Sequence, residues 1–106
     1  MNSKVLMAYC TFPNEATARQ ICESLVREDV IACANILPEM TSIYKWQDKL
    51  ETGSECAAVL KTSDFKKPAL MERLRALHPY QNPCLVFLNV DDGLSAFLNW
   101  VRIQTL

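Results

Sequence analysis

The sequence has little glycine, little excess charge and no long apolar run, and each shortage closes a class of function. Only two glycines, Gly53 and Gly93, stand among 106 residues, and no phosphate loop or nucleophile elbow occurs anywhere in the chain. Eleven Lys and Arg against twelve Asp and Glu leave a formal charge of −1. That balance gives no basic footprint for phosphate backbones or anionic lipid, so nucleic acid is excluded as a partner. No apolar stretch approaches the ~20 residues that cross a bilayer. Met1-Asn2-Ser3-Lys4 opens without the apolar core and small-residue cleavage site of a leader, so a cytoplasmic protein without a membrane partner is expected. The five cysteines never fall at C-x-x-C spacing, which removes zinc-ribbon and thioredoxin-type sites. They are odd in number and, Cys84 apart, lie in segments that read as helix or strand, the pattern of reduced thiols. Any metal site must be assembled from residues distant in the chain.

What is present suffices for one domain over residues 1–106, since half the residues are apolar and 22% are charged, the composition of a globular chain with a single modest core. Val5-Leu6-Met7-Ala8-Tyr9-Cys10-Thr11-Phe12 is apolar on both alternating faces and predicts a central strand. Pro13-Asn14-Glu15 supplies a breaker, an N-cap and an acidic first turn for a helix over 14–28, with Ala18, Ile21, Cys22, Leu25 and Val26 at helical spacing. A second strand runs from Ile31 to Leu37, is interrupted at Pro38-Glu39 and resumes over Thr41–Trp46; Pro38 confines that point to an edge or a bulge. The polar stretch Gln47–Gly53 is expected to turn the chain into a third strand, Glu55–Lys61.

Asp64 is expected to cap a second helix with Pro68 in its first turn and Leu70, Met71, Leu74 and Leu77 as its buried stripe, closed by His78-Pro79-Tyr80. Cys84–Val90 reads as a fourth strand. Leu94, Phe97, Leu98 and Val101 mark a short C-terminal helix after Gly93. The order strand, helix, strand, strand, helix, strand is a split βαβ arrangement, which predicts an α+β, ferredoxin-like sandwich with two helices on one face of an antiparallel four-stranded sheet. The strands are apolar on both faces while the two sandwich helices cover one, so an oligomer burying the second face is expected. The extended hairpin offers Ile43, Tyr44 and Trp46 as anchors for a neighbouring subunit.

Several pieces in this order resemble the CutA divalent-cation-tolerance proteins: Cys10-Thr11-Phe12-Pro13-Asn14-Glu15-Ala16-Thr17-Ala18, Ala32-Cys33-Ala34-Asn35, Thr41-Ser42-Ile43-Tyr44-Lys45-Trp46, Leu60-Lys61-Thr62, His78-Pro79-Tyr80 with Pro83, and the closing Trp100. The resemblance covers nearly the whole chain and implies a homotrimer of ferredoxin-like subunits linked to copper and other divalent cations. It implies metal ligands at the cysteine ending strand one and at two adjacent histidines after helix two. Cys10 and His78 match, but Leu77 stands where the first histidine would be, and a leucine cannot ligate. Cys84 departs from the glutamate common in the family.

Pairing of strand four against strand one is expected to bring Cys84 toward Cys10 and His78, where two thiols and an imidazole would suit Cu(I) or Zn²⁺. Each residue also has a plainer role: Cys10 and Cys84 as small hydrophobes, His78 at a helix end, and Cys22, Cys33 and Cys56 as packing residues. Glu51 and Glu55 are expected to be solvated beside the turn, and Tyr80 to pack under the helix end. Three functions follow: a trimer holding a metal ion or small ligand at inter-subunit clefts, a partner-binding trimeric adaptor without metal, and, least supported, an enzyme with Cys10 as nucleophile and His78 as base. A non-enzymatic protein is expected.

Overall fold

The computed structural model describes residues 3–106, so the reading of Met1 and Asn2 as a leaderless start lies outside the described residues. The apolar run near the start forms β1 (Val5–Phe12), and Asn14 caps α1 (Glu15–Arg27) by accepting the Thr17 N–H at 2.8 Å. Then come β2 (Cys33–Trp46), β3 (Lys49–Ser63), a 3-10 turn over Asp64–Lys66, α2 (Lys67–Leu77), β4 (Leu85–Asn89) and α3 (Ser95–Gln104). The strands lie in the order β2-β3-β1-β4, all neighbours antiparallel. This is the expected α+β sandwich, with β1 in the interior of the sheet.

One face of the sheet is closed. Ala8, Cys10 and Phe12 of β1 and Cys56, Ala58 and Leu60 of β3 meet Ala18, Ile21, Cys22 and Leu25 of α1 and Leu70 and Leu74 of α2 in one buried cluster. A bidentate contact from Arg73 to Glu28, at 2.7 and 2.9 Å, ties α2 to the end of α1, and it holds the Glu28 carboxyl below its ordinary value. The opposite face is covered only at one end, where Val101 of α3 packs on Val5 and Ala32. The terminal helix, which lies outside the split βαβ order, thus closes one end of the second face. Towards β4 the face stays bare, with Val86 and Leu88 51% and 53% exposed.

Four local features differ from expectation. The turn between β2 and β3 is only Gln47-Asp48, both at positive φ (52° and 66°), the backbone of a two-residue hairpin turn whose twist suits the strands. Glu51 to Gly53 therefore belong to β3. The second strand is continuous through Pro38, absorbed by a register shift between Leu37 and Met40, and as β2 lies at the sheet edge the missing N–H breaks no ladder. Asp64 does not cap α2; it opens the 3-10 turn and accepts the Lys4 backbone N–H at 3.2 Å. Met71 of α2 and Leu94 beside α3 point outward, because the buried stripes narrow to Leu70 with Leu74 and to Val101.

Candidate functional site

Strand alternation sorts the expected metal ligands onto different faces. Cys10 pairs with Leu85 in the β1–β4 ladder, and both belong to the helix-covered side, where Cys10 is fully buried. One step further along the ladder, Cys84 falls opposite Thr11 and takes the other side, since successive residues of a strand face opposite ways. Thr11 and Cys84 accordingly line one cleft there. The two thiols are near enough for their charges to interact: burial first, and the neighbouring Cys84 second, push the Cys10 thiol up to about 12. Burial thus favours the neutral thiol, which opposes its use as a nucleophile at neutral pH.

His78 is held at both ring nitrogens. Nε2 lies 2.8 Å from the Thr11 carbonyl oxygen, which can only accept, so Nε2 carries the proton; Nδ1 accepts the Tyr80 backbone N–H at 3.1 Å. The ring stacks on Phe12 with centroids 5.1 Å apart. Neither nitrogen is free to bind a metal or to take a proton from Cys10 while these bonds stand. Among the described residues no group of three or more His, Cys, Asp or Glu side chains is placed to hold a metal ion. With Leu77 packed against the core, the residues at the familial ligand positions do not fit a metal. Cys22 and Cys56 are buried in the core as packing residues, while Cys33 is only half-buried.

The same His78–Tyr80 segment builds something else on the open face. A cleft of about 660 Å³ lies where the loop after α2 meets the root of the hairpin, bounded by Tyr44, Trp46, Gly53, Glu55 and Tyr80 besides Thr11 and Cys84. The ladder pairs Met40 with Glu55, Ser42 with Gly53 and Tyr44 with Glu51, so Tyr44, Trp46, Gly53 and Glu55 share one face of the hairpin. Tyr80 donates its hydroxyl hydrogen to Glu55 Oε2 at 2.6 Å. Burial, and then that bond, push the Tyr80 phenol well above its ordinary value, so it remains the donor. The segment is fixed by the His78 ring from one side and by Glu55 from the other.

Ile43, Tyr44 and Trp46 stand on the projecting hairpin, 68%, 48% and 45% exposed. The Glu55–Tyr80 pair was not legible in the sequence. With the turn read as Gln47–Gly53, Glu55 stood beside a bend, a solvated position. The exposed-face parity with Tyr44 and Trp46 emerges only when the turn is shortened to Gln47-Asp48. The partner of the Tyr80 hydroxyl is 25 residues away in sequence.

The family model for the CutA1 divalent ion tolerance protein matches residues 6–104 of the chain. The divalent-cation tolerance protein CutA of Thermus thermophilus is 42% identical over 95 residues, covering 90% of this chain and 92% of that protein. Protein CutA of Mus musculus is 39% identical over 101 residues, and there the match takes in 95% of this chain but only 57% of the longer mouse protein. Among solved structures, that of the divalent ion tolerance protein CutA1 from Ehrlichia chaffeensis superposes with a TM-score of 0.94 at 30% identity, over 100% of this chain and 99% of that one. Sequence and fold agree along almost the whole length, and the chain belongs to the CutA1 divalent ion tolerance protein family.

Proposed function

We propose that this chain works as a homotrimeric, non-enzymatic protein of divalent-cation tolerance, copper included, and that it receives a small ligand in the cleft under its hairpin. The tolerance role is the one that relatives carry in their names. The observation that carries the ligand is the cleft, open on the uncovered face and walled by two aromatic rings and a carboxylate held by a tyrosine. Its size lies within the range of small-molecule sites. A trimer is supported by the bare row at Val86 and Leu88 on the edge strand β4 and by Ile43 and Trp46 on a projecting arm. Three copies would cover that face and close the cleft from outside, with the hairpin anchors reaching the next subunit.

Two measurements test this reading. Sedimentation equilibrium of the full chain at micromolar concentration is expected to give three times the monomer mass, and a stable folded monomer overturns the assembly. Expression in a bacterial strain lacking its own CutA protein is expected to restore growth on copper salts, and failure of a well-expressed, folded protein to do so overturns the tolerance role. If cation tolerance runs through the cleft rather than through a buried thiol, Cys10→Ser and wild type restore growth alike.

A further inference from the structure

We infer that the cleft is a site for a small organic cation, an ammonium or guanidinium group seated between Tyr44 and Trp46 and paired with the Glu55 carboxylate. The inference rests on the reading of the cleft as a ligand site and adds the chemistry of what enters it. Glu55 is half-buried, yet among the described residues it takes part in no ion pair. Its one hydrogen bond there is the Tyr80 hydroxyl on Oε2, which leaves Oε1 without a recorded partner. The Tyr80 hydrogen bond holds the carboxylate in place with one oxygen left to receive a cation, and a bound cation supplies the counter-charge.

The surroundings suit an organic cation better than a metal or an anion. The rings of Tyr44 and Trp46 stand on the same face as Glu55, and aromatic faces attract ammonium and guanidinium groups through the ring quadrupole. A single carboxylate is too few oxygen ligands for Mg²⁺ or Ca²⁺. Lys45 also borders the cleft, but its pairing with Leu50 gives it the opposite parity to Tyr44 and Trp46, and among the described residues it forms no ion pair with Glu55. Lys49 and Glu51 share the cleft face but lie opposite Trp46 and Tyr44 towards the tip, outside the cleft lining, and their charges offset each other.

Gly53 supplies the floor. Its φ is not positive, and a Cβ built there meets nothing within 4 Å. Neither the backbone nor the packing requires glycine at this position. What a side chain would occupy is the space between Tyr44 and Glu55, so the smallness of Gly53 keeps the cleft open.

The test is calorimetric titration of the full chain with two pairs of probes, choline against its neutral isostere 3,3-dimethyl-1-butanol and n-butylguanidinium against n-butylurea. At least one cation is expected to bind about tenfold or more tightly than its neutral partner. Glu55→Gln is expected to remove that preference, Tyr80→Phe to weaken it several-fold by releasing the carboxylate, and Gly53→Leu to abolish binding. At Gly53 a Cβ meets nothing within 4 Å and the backbone is not at positive φ, so Gly53→Leu serves if Glu55→Gln fails to fold; melting and sedimentation identical to wild type confirm each variant. Equal binding of cation and neutral isostere, or a preference that survives Glu55→Gln, overturns the cation assignment and leaves the cleft as a site for a neutral ligand. Binding by none of the four probes at 10 mM also overturns it, while the sedimentation and copper-growth outcomes stand or fall separately.

Discussion

The two halves of the β2–β3 ribbon are made of the same strands and do opposite things. Near the body, Ala34 and Ile36 pair with Leu60 and Ala58, and the ribbon is sealed into the core under α1. Past the register shift at Leu37–Met40, the same two strands project with Ile43 and Leu50 68% and 73% exposed, and the molecule stretches to 47 Å against 25 and 22 Å across. The inner half is apolar because it completes one chain's core. The outer half is apolar without a core, and apolar area left in water on an arm of this length indicates that its contacts lie on another molecule. A shared secondary structure thus carries two energetic roles, and the bulge marks the border between them.

The largest expected effect lies in the core that the inner half completes, where β1 pairs with β3. Phe12 is fully buried between the sheet and His78, and Phe12→Ala is expected to lower stability to urea by about 3–5 kcal/mol. If truncation cost less than 1 kcal/mol, the sealed half would not be the seat of the fold. On the arm, Trp46→Ala is expected to leave the monomer fold intact and weaken assembly by about 2–4 kcal/mol. Sedimentation at several protein concentrations reads this directly, and an assembly as tight as wild type would show that the arm's apolar surface has another purpose.

Cys10 and Cys84 sharpen the contrast across the sheet. Cys10→Ser places a hydroxyl in a dry pocket and is expected to cost about 1–3 kcal/mol, with Cys84→Ser costing clearly less in the same thermal melts. The Cys10 thiol, raised to about 12 from 9.0 by burial first, favours its neutral form in the fold. Its contribution is therefore complete below pH 9 and is lost as the pH rises from 9 towards 12, because the unfolded chain ionises first. A thiol reagent at pH 8 should accordingly label Cys84 and Cys33, both half-buried, well before Cys10; early labelling of Cys10 would contradict the placement.

The smallest effect belongs to the tip. Gln47 and Asp48 both adopt positive φ, a strain that Asn-Gly relieves. The double change Gln47→Asn with Asp48→Gly is expected to raise stability by about 0.5–1 kcal/mol without altering assembly. Loss of the trimer in that variant would mean that the tip itself, and not the flank bearing Ile43 and Trp46, makes the intersubunit contact.

Most of the fold was readable because its signals are local. Asn14 before an acidic turn fixes the start of α1, alternating apolar residues place β1, and Pro38 announces an edge or a bulge, as the register shift shows. The turn was misread because Gln47-Asp48 lacks the glycine that usually marks a two-residue hairpin, and Gly53, which looks like a turn residue, sits inside β3 as the floor of a cleft. The faces of the candidate metal ligands were not legible for a related reason. Strand pairing correctly brings Cys84 beside the end of β1, but pairing alone says nothing of faces, and one residue of offset sends Cys10 inward and Cys84 outward.

By itself the sequence determined the family, the order of elements and the helix-covered core, since periodicity, caps and breakers act over a few residues and need no knowledge of distant partners. Only the tertiary structure decided which side chains meet. His78 spends both nitrogens on Thr11 and Tyr80, and Tyr80 reaches Glu55 across 25 residues. Such contacts depend on the register between strands far apart in the chain, and a shift of one residue moves every side chain to the opposite face.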